Sequence, residues 1–278
     1  MAIMIGCGVL LLAGLVAGVR WSAASFAAPD PGVVLTAGEV TRRYIWYSSI
    51  VLTAGIFAGI TVIGAGGRLA MRLLAVTSGD AAQGRITEAS EVVGEITTDG
   101  TIGFVLFNGV IGGVLFGALF LVVRRFLPAG PWGGVVFGLG LLIVFGSILD
   151  PLRRQNRDFD IIGPGWVAVV VFALLATVYG LALEGCTARM SSWLPQPATQ
   201  RRVLVRYAGP GVIAAVAYAV TILLAVVGAL TALVTRWNVV IDVVRSSRWV
   251  TGGRILLINL VLASLPNTLT NVIDIAGR

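Results

Sequence analysis

The chain contains no histidine, no lysine and only two cysteines. Without histidine there is no imidazole base, no His-ligated metal and no bis-His haem. Cys7 lies inside the first apolar run and Cys186 at the end of the fifth; two thiols alone cannot build a metal cage. A bridge between them is not expected either, because a disulfide needs Cα atoms within about 7 Å, and both read as small buried hydrophobes. Ser147, after Gly146, has no basic partner to activate it as a nucleophile. Charge is also scarce: 12% of residues are charged, where a soluble domain has about a quarter. No Asp, Glu or Arg falls in the middle of the six clear apolar runs, which argues against proton-coupled transport through an intramembrane carboxylate. No cofactor or metal site is expected.

What remains is overwhelmingly apolar, with 57% hydrophobic residues and a mean hydropathy of +0.95. The apolar residues gather in runs near ~18 residues or longer, the length of a membrane-crossing helix. The predicted fold class is therefore all-α, a polytopic membrane helix bundle in a single membrane domain over 1–278. It has six to seven transmembrane helices and a short strand-like extramembrane cap. Helices are predicted over 2–19, 44–63, 101–123, 132–149, 166–183 and 212–234. The first is read as retained, because a cleaved signal peptide would carry a basic leader; residues 21–43 read as a connecting loop. In "RWNVVIDVVRSSRWV", Trp237, Val240, Ile241 and Val244 share one side, which predicts an interfacial helix over 236–250. The run 255–275, interrupted by Pro266 and striped with Asn259, Asn267, Asn271 and Asp274, is either a seventh span or a second interfacial helix.

Every basic residue is an arginine, and the net charge is +7. With abundant Ala, Gly and Val this composition fits a high-GC bacterial genome and a multi-pass protein of the bacterial cytoplasmic membrane. The arginines cluster at the ends of apolar runs, where they meet lipid phosphates and bias topology; nucleic-acid binding has no support. Arginine totals on the two sides are nearly equal. The pairs Arg42-Arg43, Arg124-Arg125 and Arg201-Arg202, with Arg20, lie close to helix ends on one side and predict an N-terminus outside.

Glycines four apart recur at Gly14 and Gly18, at Gly55 and Gly59, at Gly109, Gly113 and Gly117, and at Gly134 and Gly138. That spacing clears one helix face for close backbone approach. It serves packing within one bundle, or a homo- or hetero-oligomer through glycine-rich faces. The triple on 101–123 suggests that this helix is central. Asn108, beside that stripe, is expected to face the bundle and bond another helix, as are Asn259 and Asn267, because an amide in hydrocarbon needs a partner.

The polar stretch "GRITEASEVVGEITTDGT", inside the predicted cap over 78–100, carries Arg85, Glu88, Glu91, Glu95 and Asp99 and repeats Gly-x-Ile-Thr at Gly84 and Gly94. Two short strands pairing the copies would bring Arg85 near Glu95, and Asp99 or Thr98 would cap the following helix. An EF-hand fails on spacing: with Gly100 sixth in the loop, Leu106 takes the position of the required bidentate Glu. The stretch reads as an ordered lid that covers the bundle or recognises something.

The block "GGRLAMRLLAVTSGDAAQGRITEASEVVGEITTDGTIGFVLFNGVIGG", residues 66–113, resembles uncharacterised multi-pass membrane proteins of actinobacteria, in which a GR-x-x-MR segment leads through a Thr/Glu-rich linker to a Gly-Thr-headed helix. The resemblance implies a membrane location and a shared fold, with no assigned activity. Together these readings predict a non-enzymatic membrane scaffold or accessory subunit, in contact with membrane lipids. The alternative is a small-solute transporter or channel, resting on Asn108 and on the polar stripe of the last run.

Overall fold

The computed structural model describes residues 1–24, 26, 37–148, 150–194 and 247–278, with the backbone alone over 37–45. The predicted helix over 212–234 and the first part of the predicted interfacial helix lie outside these residues. The described elements are α1 (Ala2–Trp21), α2 (Ala37–Ala58), a π-helical segment (Gly59–Gly64), α3 (Ala65–Thr77), α4 (Thr98–Val123), α5 (Pro131–Phe145), α6 (Gly165–Trp193) and α7 (Ser247–Ala276). Among the described residues, five helices are long and apolar enough to cross a membrane; α5 is apolar but shorter. There is no named strand among them, only a single antiparallel bridge, Ile86 with Val92.

The predicted boundaries shift where neighbours extend a helix beyond its apolar run. The predicted span 44–63 is one continuous rod running from Ala37 to Thr77. The predicted loop 21–43 therefore loses its last residues to α2. The predicted helix 166–183 continues to Trp193. Residues 247–250, assigned to an interfacial helix, instead open α7, which passes through Pro266 without a break. Such a proline is tolerated in a membrane helix because neighbours re-satisfy the freed backbone groups. Just beyond the proline, the Thr268 hydroxyl ties α7 to the Ile143 carbonyl of α5 at 2.7 Å.

The π segment has a packing reason. Thr61, fully inside the bundle, donates its hydroxyl to the Phe57 carbonyl (2.8 Å) and approaches that of Ala58 (3.4 Å), a side-chain competition that loosens the local ladder. The widened turn adds one residue of register. Gly55 and Gly59 are four apart and face α4; after the π turn Gly64, five further on, still faces α4, where an uninterrupted helix would present Ile63. A methyl at Gly64 would lie 2.8 Å from the Val105 carbonyl oxygen, and one at Gly59 2.6 Å from the Gly113 Cα.

Two further close crossings use the same device. Gly134 and Gly138 of α5 meet Gly180 and Ala176 of α6, and Gly18 of α1 meets Ala182 of α6. Among the described residues, most of the glycine stripes make close contacts inside the bundle. The central rod is the one running from Trp46 to Thr77, 78% buried in its most apolar window, against 28% for the α4 span. The expectation that the triple-glycine helix is central is thus corrected: its glycines fit it to the central rod from outside.

The contacts also order the ends. Cys7 packs with Ala65 and Val105, whereas Ala17 and Ser22 lie beside Gly185. Hence the first residues of α1 share one end of the bundle with the α3–α4 connection. Arg254 near the start of α7 donates to the Phe126 carbonyl (3.2 Å), and Arg278 pairs with Asp160 (2.8 Å). So α7 begins at the end where α4 and α6 finish.

Candidate functional site

The polar residues 78–97 form a lid over the end of the bundle where α3 finishes and α4 begins. Gly79, Gly84 and Gly94 have φ of +75°, +79° and +94°, backbone that a side chain would strain. They allow a tight hairpin: the Gly84 amide donates to Val93 (3.0 Å), Val93 to Arg85 (2.9 Å) and Thr87 to Glu91 (2.9 Å). The register differs from the expected one. The first Gly-x-Ile-Thr copy pairs with Val92 and Val93, not with the second copy, which leads on into α4. Arg85 and Glu95 consequently form no ion pair in the described residues, and both are exposed.

Of two arginines of α3, one holds the lid and the other the start of α4 just after it. Arg68 donates through Nε to the Thr101 hydroxyl (3.2 Å) and Arg72 through Nη1 to the Gly94 carbonyl (3.1 Å). Their spacing of four puts both on one helix face. The buried side chain of Val93 packs with Ala75 and Ala82. The lid also joins the α5–α6 connection: Arg153 Nη2 reaches Glu88 Oε1 at 2.7 Å, and the Glu88 amide donates to Asp158 Oδ1 at 2.7 Å. The Arg153 hydrogen bond, with the exposed carboxyl otherwise in water, holds the Glu88 pKa below its usual range. Glu91 and Asp99 are exposed. Asp99 lies in the first turn of α4 and does not cap it: the helix starts at Thr98 with Thr97 at the N-cap position, and an acid one turn in still favours the helix dipole.

The span-level amides do not converge. Asn108 is exposed on the outer face of α4, near Phe107 and Ile111, and no described residue bonds its amide. Asn259 turns back to its own Ile255 carbonyl (2.9 Å) on the exposed side of α7. Asn267 alone bonds another helix end, donating to Ser147 at 3.0 Å. The expectation that Asn108 and Asn259 face the bundle is corrected. The glycines of α4 need the inner face for backbone contact, and Asn108, next in sequence to Gly109, is rotated off it.

No protein family, characterised protein or solved structure matches the chain. The site must be read from its own geometry.

That geometry includes a pair the sequence reading did not assemble. At the end opposite the lid, Arg124 and Glu184 form a two-pronged salt bridge, Nη2 to Oε1 at 2.9 Å and Nε to Oε2 at 3.2 Å. The Glu184 side chain is 6% exposed and that of Arg124 16%. Tyr47 lies beside the same guanidinium, and the Phe26 ring covers it at 4.1 Å. Trp46, beside Phe26, ties α2 to the end of α6 through the Leu194 carbonyl (3.0 Å). One signal was available: between Asp160 and Asp242 the only acidic residue is Glu184. A lone acid continuing an apolar helix calls for a cation from another helix. Because the pair is saturated by its own partners, it fastens α2, α4 and α6 together.

Proposed function

We propose that this chain is a non-enzymatic integral membrane protein, a scaffold or accessory subunit that associates with a second copy of itself through the outer face of α4. The observation that carries this reading is Asn108. A primary amide facing hydrocarbon without a partner costs several kcal/mol on an alkane scale, roughly 4–8. A second Asn108 offers both the donor and the acceptor it needs, and asparagines bond across helices in membranes. With most glycine faces used internally, association falls to faces such as this one. Native mass spectrometry of protein released from lipid nanodiscs tests it: the wild type is expected as a dimer and Asn108→Leu as a monomer. A solitary wild-type monomer would sink the proposal.

A small-solute transporter is the second reading, favoured by the π segment that interrupts the central rod in mid-span. Against it, the Gly55–Gly113 and Gly59–Gly109 backbone contacts close that seam.

For orientation, the lid end carries Asp80, Glu88, Glu91, Glu95, Asp99, Asp150, Asp158, Asp160 and Asp274. The opposite end carries Arg20, Arg124, Arg125, Arg189, Arg248 and Arg254, with Glu184 committed to Arg124. The lid end itself carries Arg68, Arg72, Arg85, Arg153, Arg154, Arg157 and Arg278, so totals do not separate the ends; the placement of Arg20 and the Arg124-Arg125 pair directly at helix ends favours the opposite end as the cytoplasmic side of a bacterial membrane. The lid and the first residues of α1 then face outward. A cysteine at Ser90, in a background lacking Cys7 and Cys186, is expected to react with an impermeant maleimide added to intact cells. Reaction only after lysis would reverse the orientation.

A further inference from the structure

A cleft of about 410 Å³ opens between α1, α2 and α6 at the end of the bundle opposite the lid, a size within the roughly 300–1,000 Å³ of small-molecule sites. Phe57, Met190 and the buried Cys186 make its walls apolar. Thr53, also in the wall, has already spent its hydroxyl on the Ser49 carbonyl at 2.7 Å. The mouth is different. Trp21 and Trp193, the last residues of α1 and α6, stand there with Arg189. Both indoles are partly exposed, at 37% and 56%, in the manner of tryptophans at headgroup depth. Arg189 is exposed and has no ion-pair partner among the described residues.

We infer that this cleft binds one anionic phospholipid, with an acyl chain against Phe57 and Met190 and the phosphate on Arg189. Beyond a lone pair on the Thr53 oxygen and the weak Cys186 thiol the walls offer no hydrogen bond, so a water-soluble ligand would lose most of its solvation uncompensated. An acyl chain loses none, and the single cation stands where a lipid phosphate sits. Arg meets phosphate through paired N–H donors, and an additional negative headgroup strengthens the attraction. The inference rests on membrane embedding and is independent of self-association.

The test is lipid retention in native mass spectrometry, using full-length protein released from nanodiscs of mixed phosphatidylglycerol and phosphatidylcholine. The wild type is expected to keep one phosphatidylglycerol per chain after bulk lipid is stripped. Arg189→Gln should weaken retention about fivefold to tenfold, and Arg189→Lys should retain most of it. Thr53→Phe, which narrows the cleft without changing charge, should also reduce it. Equal retention of the two lipids, or unchanged retention in Arg189→Gln, would overturn the inference. So would a copurifying protein in place of the lipid on the wild-type chain. A monomer that still carries its phosphatidylglycerol would count against self-association while supporting the cleft.

Discussion

Gly59→Leu is expected to be among the most damaging single substitutions in the chain. A side chain at this position would run into the Gly109 carbonyl oxygen and lie 2.6 Å from the Gly113 Cα. Both obstacles are backbone, so no rotamer change relieves them, and the central rod would have to separate from α4. The separation would undo the fit of Gly55, Gly64, Gly109 and Gly113 together, because they share one crossing. Overpacking typically costs about 1–3 kcal/mol, and a backbone obstacle belongs at or above the top of that range. The expected readout is a thermal midpoint in detergent lowered by roughly 5 °C or more. Gly140→Ala is the matched control: a methyl there meets nothing within 4 Å, and alanine favours helix over glycine by about 1 kcal/mol. Equal behaviour of the two variants would show that the α2–α4 crossing is looser than described.

The second large effect is expected at the covered ion pair. Glu184→Ala leaves the Arg124 guanidinium inside the bundle without its carboxylate, and Arg124→Met leaves the reverse. Breaking one side of a buried pair costs about 3–5 kcal/mol, whereas replacing both sides by apolar residues is often neutral. Arg124→Met with Glu184→Leu should therefore be more stable than either single variant, and a thermal double-mutant cycle reads this directly. The Phe26 ring would still lose the guanidinium stacked on it in the double variant, so full recovery is not expected. Additive losses would mean that the two side chains act separately and that the pair is not the fastening described. Such a result would leave the glycine crossings as the main ties between these helices.

The membrane character and the apolar cores of the helices were legible because length and hydropathy decide them locally. Several features were not, each for a tertiary reason. Gly64 falls outside the four-apart glycine pattern because the π turn adds a residue between it and Gly59. Gly180 and Ala176 were overlooked because only one is a glycine, although together they accept Gly134 and Gly138. Glu184 falls just outside the predicted helix 166–183 because hydropathy drops there, yet α6 continues to Trp193 and buries it against Arg124. In the lid, the repeated Gly-x-Ile-Thr suggested pairing between copies. The turn over Thr87–Glu91 instead closes the hairpin early, and the second copy is used to reach α4. The spacing of Arg68 and Arg72 puts them on one helix face; what that face holds depends on where the Gly94 carbonyl and the Thr101 hydroxyl come to rest.

The central claim is that this bundle meets a second copy through α4, and cysteine cross-linking at Asn108 in native membranes tests it most directly. In a chain with Cys7 and Cys186 replaced by serine, Asn108→Cys is expected to give a disulfide-linked dimer under mild oxidation. Leu256→Cys, also exposed but on α7, should remain monomeric. Absence of the dimer at position 108, or equal cross-linking at both positions through random collision, would contradict the account.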